Sequence, residues 1–186
     1  GAVKEMASLI GRGINSVEGM TAKIRTVPEV YPEITSTKNT IPESGSIYAT
    51  LEDLELCAGL ALGSPTRFGN MAAPLKYFLE QVTPLWVRGV LENKPACVFT
   101  SSGSIHGGNE STLLSMQLPL FHLGMMIIGV PYSVPSLSSS TSGGTPYGAS
   151  HVGGEKNNSP ITEEEKKICI AQGVRLAEIA KKINSK

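Results

Sequence analysis

Three short runs without a charge, residues 58–62 (AGLAL), 96–99 (ACVF) and 125–130 (MMIIGV), are each followed by a polar, glycine-bearing loop and then by a helical pattern. A short apolar run of this kind is what a strand buried on both faces requires, and such burial needs helices above and below a parallel sheet. The alternation therefore predicts an α/β fold with a doubly wound parallel sheet in three layers. At 186 residues the chain suits a single domain over residues 1–186.

Between the first run and its helix stands Gly63-Ser64-Pro65-Thr66-Arg67-Phe68-Gly69-Asn70. Leu75, Phe78, Leu79 and Val82 then recur on one helix face, with Pro74 tolerable only in the first turn. The octapeptide is thus a strand-to-helix loop at the carboxyl edge of the sheet, where open α/β sheets bind ligands. Its bland reading is a Ser-Pro turn and a Gly-Asn helix cap. The second run leads into residues 100–108, a Ser/Gly-rich loop at the same edge. A helix over 110–122 follows, with Leu113, Met116 and Leu120 on one face and Pro119 placed to kink it.

Elsewhere, Val3, Met6, Ala7 and Ile10 give a helical stripe from near the first residue. Residues 21–27 alternate as an edge strand should, and residues 29–49 read as a long surface loop. Thr50 with Asp53 caps a short helix, and Thr83-Pro84-Leu85-Trp86 reads as a turn. Its tryptophan is either a core plug or an exposed stacking platform. Residues 132–160 read as one long Ser/Gly/Pro-rich loop. Thr162 with Glu165 then forms a capping box for a last helix. The stripe of that helix, Cys169, Gly173, Leu176, Ala180 and Ile183, carries small residues for close approach to the sheet.

Sixteen basic residues balance sixteen acidic ones with no basic block, which leaves no electrostatic footprint for nucleic acid or an anionic membrane. No apolar run is long enough to cross a bilayer and no signal-peptide pattern opens the chain, so a cytoplasmic protein without membrane insertion is expected. Cys57, Cys97 and Cys169 form no CxxC and read as small hydrophobes. No serine sits in GxSxG, no histidine is paired by spacing with an acid, and His106, His122 and His151 lack zinc spacing. Glu163, Glu164 and Glu165 read as a solvated, capping first turn. No catalytic side chain and no metal site is identified, so without a cofactor the chain has little obvious chemistry.

The wording of the first loop, together with Phe99-Thr100-Ser101-Ser102, His106-Gly107-Gly108-Asn109-Glu110, His122 before Gly124-Met125, and Gly143-Gly144-Thr145-Pro146-Tyr147-Gly148-Ala149, resembles the WrbA family of flavodoxin-like NAD(P)H:quinone oxidoreductases. The motifs follow in order over nearly the whole chain. The resemblance implies a flavodoxin-like sheet, FMN as cofactor, NADH or NADPH as donor, a quinone as substrate and ping-pong two-electron reduction in a homotetramer. It implies that Thr66, Arg67 and Phe68 border the flavin and that Ser101, Ser102, Gly103, Ser104, Ile105, His106 and Gly107 wrap its other side. His122 is implied as a further flavin contact and Trp86 as a quinone-side residue bordering a neighbouring subunit's flavin. From the residues alone, Arg67 could instead pair with a surface carboxylate and His122 could be a packed core histidine. A one-electron flavodoxin carrier and a flavin-free relative are the alternative readings, the first unsupported by the neutral charge.

A flavodoxin-like sheet has a central first strand followed by a phosphate loop, and Gly1, Ala2 and Val3 match only the end of that loop. The first central strand is missing from the sequence, and the expectation is that upstream sequence or another segment fills its slot. Without it, FMN is expected to be weakly held or absent.

Overall fold

The structure, a computed structural model, describes residues 1–30, 42 and 44–185. In chain order its elements are α1 (Ala2–Asn15), α2 (Leu51–Leu56), β1 (Leu60–Pro65), α3 (Ala73–Glu80), α4 (Thr83–Val87), β2 (Pro95–Ser102), α5 (Asn109–His122), β3 (Met126–Ile127), α6 (Pro135–Ser139), β4 (Ala149–Val152) and α7 (Glu163–Asn184). The four strands form one parallel sheet with β2 in the middle. On one side of β2 lies β1, from Leu60 against Ala96 to Pro65 against Ser101.

The other side of β2 is shared. β3 pairs with its start, at Pro95 and Ala96, and β4 with its end, from Phe99 to Ser102. The strand expected over 125–130 is therefore the first piece of a line that an insertion splits and residues 149–152 resume. Ile128 still donates its amide to Ala96 O at 2.8 Å, whereas the amide of Val130 has turned to Pro146 O at 3.0 Å. Buried Gln172 of α7 fills the break, its Nε2 donating to Val98 O at 2.9 Å and its Oε1 accepting the Ala149 amide at 2.8 Å. An amide side chain thus replaces the ladder bonds that a buried strand would otherwise lose. The single loop expected over 132–160 is corrected accordingly: it holds α6 and β4.

Because successive strand residues face opposite sides, the sheet divides the core in two. Leu62, Ala96 and Val98 pack with Leu75 and Leu79 of α3 and with Leu113, Met116 and Leu120 of α5. Phe99 and Ala149 pack on the other side with Met6, Leu9 and Ile10 of α1 and Ile168 and Cys169 of α7. Helices on both faces give the three layers expected. The capping boxes at Thr50 and Thr162 are both formed, and Pro74 falls in the first turn of α3.

α1 and α7 lie side by side in the same direction, and glycines set their spacing. A Cβ on Gly13 would stand 2.2 Å from Ile170 O, and one on Gly173 would stand 2.1 Å from Ile10 O. Gly173 therefore serves approach to α1 rather than to the sheet, whereas Cys169 of the same stripe packs with Phe99 and Ala149 of the sheet as expected. Residues 83–86 form the start of α4, not a turn, since Pro84 is well placed in a helix's first turn. The edge strand expected over 21–27 is not formed. Thr26 makes one parallel bridge to Tyr48, and no strand among the described residues offers it a ladder or pairs with the free edge of β1. The loop expected over 29–49 lies largely outside the described residues.

Candidate cofactor site

β1 and β2 end together at the carboxyl edge. The amide of Thr66 carries the ladder one residue further, to Ser101 O at 2.9 Å, and the chain then folds back on itself. Arg67 N donates to Asn70 O at 2.7 Å and Asn70 N to Arg67 O at 3.0 Å. Between them, Phe68 and Gly69 have φ of 51° and 76°. Left-handed backbone costs a phenylalanine about 1–2 kcal/mol, so the surroundings must hold this turn.

Side-chain hydroxyls hold it. Thr112 Oγ1 of α5 donates to Thr66 Oγ1 at 3.2 Å, Thr66 Oγ1 meets Thr100 Oγ1 at 3.3 Å, and Thr100 donates to Ser64 O at 2.7 Å. At the other end of the turn, Asn70 Oδ1 accepts the Met71 amide at 2.8 Å and the Ser115 hydroxyl at 3.2 Å. Held in this way, the amides of Phe68 and Gly69 make no hydrogen bond among the described residues, and the Phe68 ring lies entirely in solvent. Arg67 is exposed, donates from Nη1 to Thr66 O at 2.9 Å, and meets no carboxylate among the described residues. Thr112 and Ser115 were not singled out in the sequence, where a hydroxyl on a helix face carries no distinctive spacing, and Thr100 stood there only as part of the motif over residues 99–102.

The second loop comes to the same place. Ser102 Oγ donates to Ser104 O at 2.8 Å, Gly107 N donates to Ser104 O at 3.0 Å, and Gly108 with φ of 92° leads into α5. A Cβ on Gly108 would lie 3.1 Å from Cα of Gly69, so the two loops nearly touch. Ser102 is buried beneath them, while Gly103, Ser104, Ile105 and His106 are exposed. α5 opens without a side-chain cap, and the buried Oδ1 of Asn109 has no partner among the described residues. α1 also opens at this edge, with Gly1 at its N-cap and Ala2 and Val3 in its first turn. A groove of about 440 Å³ there is lined by Gly1, Ala2, Lys4, Glu5, Ser8 and residues 157–161.

The structure thus brings together Thr66, Arg67, Phe68 and residues 101–107. It does not bring His122 to them. His122 ends α5, a 14-residue helix, and so lies about 20 Å from the loops at its start. Within one chain His122 therefore stands apart from the loops expected to border the flavin. Its neighbours across a hollow of about 310 Å³ are Trp86, Glu92, Asn93 and Phe121. Trp86 is 54% exposed, the platform rather than the core plug.

A second correction concerns Glu165 and His151. Glu165 caps α7 as expected, but it is fully buried, and His151 Nδ1 lies 2.9 Å from its Oε2. The carboxylate also accepts the amides of Thr162 and Gly143, both at 2.8 Å, the Val152 amide at 3.3 Å and the Ser142 hydroxyl at 2.9 Å. Burial pushes this carboxyl up, but the hydrogen bonds from His151 and from the Thr162 and Gly143 amides together hold it below the usual range. The pair was invisible in the sequence because its members stand fourteen positions apart and the capping box alone accounted for the glutamate.

Residues 4–137 match the family described as NADPH-dependent FMN reductase. The chain belongs to that family. Within it, the chain is 38% identical over 190 residues to the NAD(P)H dehydrogenase (quinone) of Syntrophobacter fumaroxidans, covering 98% of this chain and 93% of that one. It is 37% identical over 188 residues to the protein of the same name from Chromohalobacter salexigens, again covering 98% and 93%. Among solved structures, a flavodoxin, WrbA-like protein from Agrobacterium tumefaciens superposes with a TM-score of 0.61 at 17% identity, over 97% of this chain and 90% of that one. A flavodoxin from the domain Archaea does so at 0.61 and 18%, over 96% and 90%. The fold of this FMN reductase family member is flavodoxin-like, and its resemblance to the WrbA family holds. FMN is the cofactor that the family implies, and the residues fit it. Free amides at Phe68 and Gly69 can donate to the polar edge of a flavin, and the exposed loops leave an open cradle for a flat ring.

Proposed function

We propose that this chain is an FMN-dependent NAD(P)H:quinone oxidoreductase, one domain over residues 1–186, acting as a homotetramer in the cytoplasm. The observation that carries the reading is the meeting of the turn at Arg67, Phe68 and Gly69 with the loop at residues 103–108 over the start of α5, where Gly108 nearly touches Gly69. The relatives named NAD(P)H dehydrogenase (quinone) support the choice of reaction. FMN, when bound, supplies hydride acceptance from NADH or NADPH and two-electron delivery to a quinone.

The chain's share is binding and orientation. The Phe68 and Gly69 amides donate to the flavin's polar edge and the Arg67 guanidinium sets a positive charge beside it. Residues 101–107 wrap the opposite side. Ala2 and Val3, with Gly1 at the N-cap, offer the opening amides of α1 to the phosphate, where the helix dipole favours an anion and Glu5 of the first turn opposes it. Leu114, Leu118 and Phe121 are exposed along α5 and Trp86 stands beyond them, an apolar face that supports subunit contact. Trp86, and His122 beside it, then belong to a boundary with a neighbour, from which Trp86 borders the quinone.

No helix among the described residues is long and apolar enough to cross a membrane. NADH and NADPH oxidation by the FMN-loaded protein with benzoquinone tests the reading. Turnover is expected only with both FMN and quinone present; flavin binding without NAD(P)H oxidation would favour the one-electron carrier.

A further inference from the structure

The turn from Thr66 to Asn70 has little packing of its own, since its aromatic ring is in solvent and its two central residues are left-handed. What meets it is a row of hydroxyls on one face of α5. Thr112 donates to Thr66 at the start of the turn, and at its end the Ser115 hydroxyl shares its proton between Asn70 Oδ1 at 3.2 Å and Thr112 O at 2.9 Å; a spacing of three places both on the same helix face. Ser111 lies beneath the middle, where a Cβ on Gly69 would come within 2.9 Å of its Oγ. The Thr112 donation leaves the Thr66 proton for Thr100, whose own proton is committed to Ser64 O. The three hydroxyls therefore point one way and end on a carbonyl, an order in which each bond strengthens the next. Thr100 and Thr112 are both fully buried, so water offers no substitute partner.

We infer that Thr112 and Ser115 are positioning residues that clamp the two ends of this turn and so keep the Phe68 and Gly69 amides presented to the flavin. The second half of the inference rests on the FMN reading; the clamp itself is a property of the chain without cofactor. Neither proton is free for the cofactor: that of Thr112 goes to the turn, and that of Ser115 is shared between the turn and Thr112 O.

The test uses the full chain with Thr112→Val, Thr112→Ser and Ser115→Ala, each followed by hydrogen exchange without FMN and by FMN titration. Thr112→Val and Ser115→Ala should each speed exchange of the Arg67 and Asn70 amides by about fivefold, the value of one net hydrogen bond, while Thr112→Ser stays near wild type. FMN affinity should fall by about the same factor in the first two and be kept in Thr112→Ser. Unchanged exchange in Thr112→Val overturns the clamp, as does equal loss in Thr112→Val and Thr112→Ser, which would assign the effect to any change of shape at the site rather than to the hydroxyl. Faster exchange with unchanged FMN affinity overturns the positioning role. Faster exchange in a wild-type background that binds no FMN at millimolar ligand would sink the FMN reading and the presentation of the amides, but leave the clamp standing.

Discussion

Glu165→Gln should be among the most damaging single-atom changes available in this chain. The carboxylate takes five donors, from His151, Thr162, Gly143, Val152 and Ser142, at 2.8–3.3 Å and in full burial. A glutamine has one acceptor oxygen and must turn its NH₂ either toward His151 and Thr162 or toward Gly143 and Val152, donor against donor. Leaving two buried donors without an acceptor, at roughly 1–3 kcal/mol each, costs about 4 kcal/mol together, a quarter or more of the roughly 5–15 kcal/mol that stabilise a domain. With a urea dependence of about 2 kcal/mol per molar, the midpoint at pH 7 should drop by about 1.5–2.5 M. The sign of the pH dependence follows from the lowered carboxyl. Its stabilisation is complete above the ordinary glutamate value of 4.5 and is lost as pH falls through the lower folded value, so wild type should lose stability on acidification through this range. That portion of the acid limb should be missing in Glu165→Gln. Glu164→Gln, at a side chain that accepts from none of these donors, is the control and should change stability by less than about 0.5 kcal/mol. A urea midpoint for Glu165→Gln within the error of the Glu164 control would refute the reasoning.

Gly173→Ala should cost about 1–3 kcal/mol in chemical denaturation, because its Cβ would meet Ile10 O at 2.1 Å and the two helices must part. Arg67→Ala should weaken FMN retention while leaving the melt cooperative and stability within about 0.5 kcal/mol, as an exposed charge contributes little; collapse of the fold with normal flavin content would mark a purely structural arginine. Trp86→Ala should alter quinone kinetics or subunit assembly, measured by light scattering, and no change in either would remove Trp86 from the boundary. Burial pushes the Cys97 and Cys169 thiols up to about 12, so a thiol reagent at pH 8 should modify only half-buried Cys57, and that slowly, until urea exposes all three.

The parts of this molecule legible in the sequence are those whose physics is local. The core face of α5, the proline in the first turn of α3 and the two capping boxes each follow from spacing within one element. The split strand escaped because β4, Ala149-Ser150-His151-Val152, is neither apolar nor alternating. Its burial is made tolerable by partners far away in sequence, Gln172 at the break and Glu165 at His151. The same distance hid the hydroxyls under the first loop, since nothing in residues 100, 112 or 115 announces that they meet residues 66 and 70. His122 shows the converse: a sequence match names a residue type at a position, and only the direction of α5 tells that it stands at the wrong end for its own chain's loops.

Hydrogen exchange with and without FMN bears most directly on the assignment of the cofactor site to the carboxyl edge. The account predicts that FMN slows exchange of the amides at Phe68, Gly69 and residues 103–107, with no protection at residues 121–124 that depends on the flavin contacting its own chain's His122. Protection confined to the hollow around Trp86 and His122, with residues 66–70 and 103–107 exchanging as in the free protein, would contradict it.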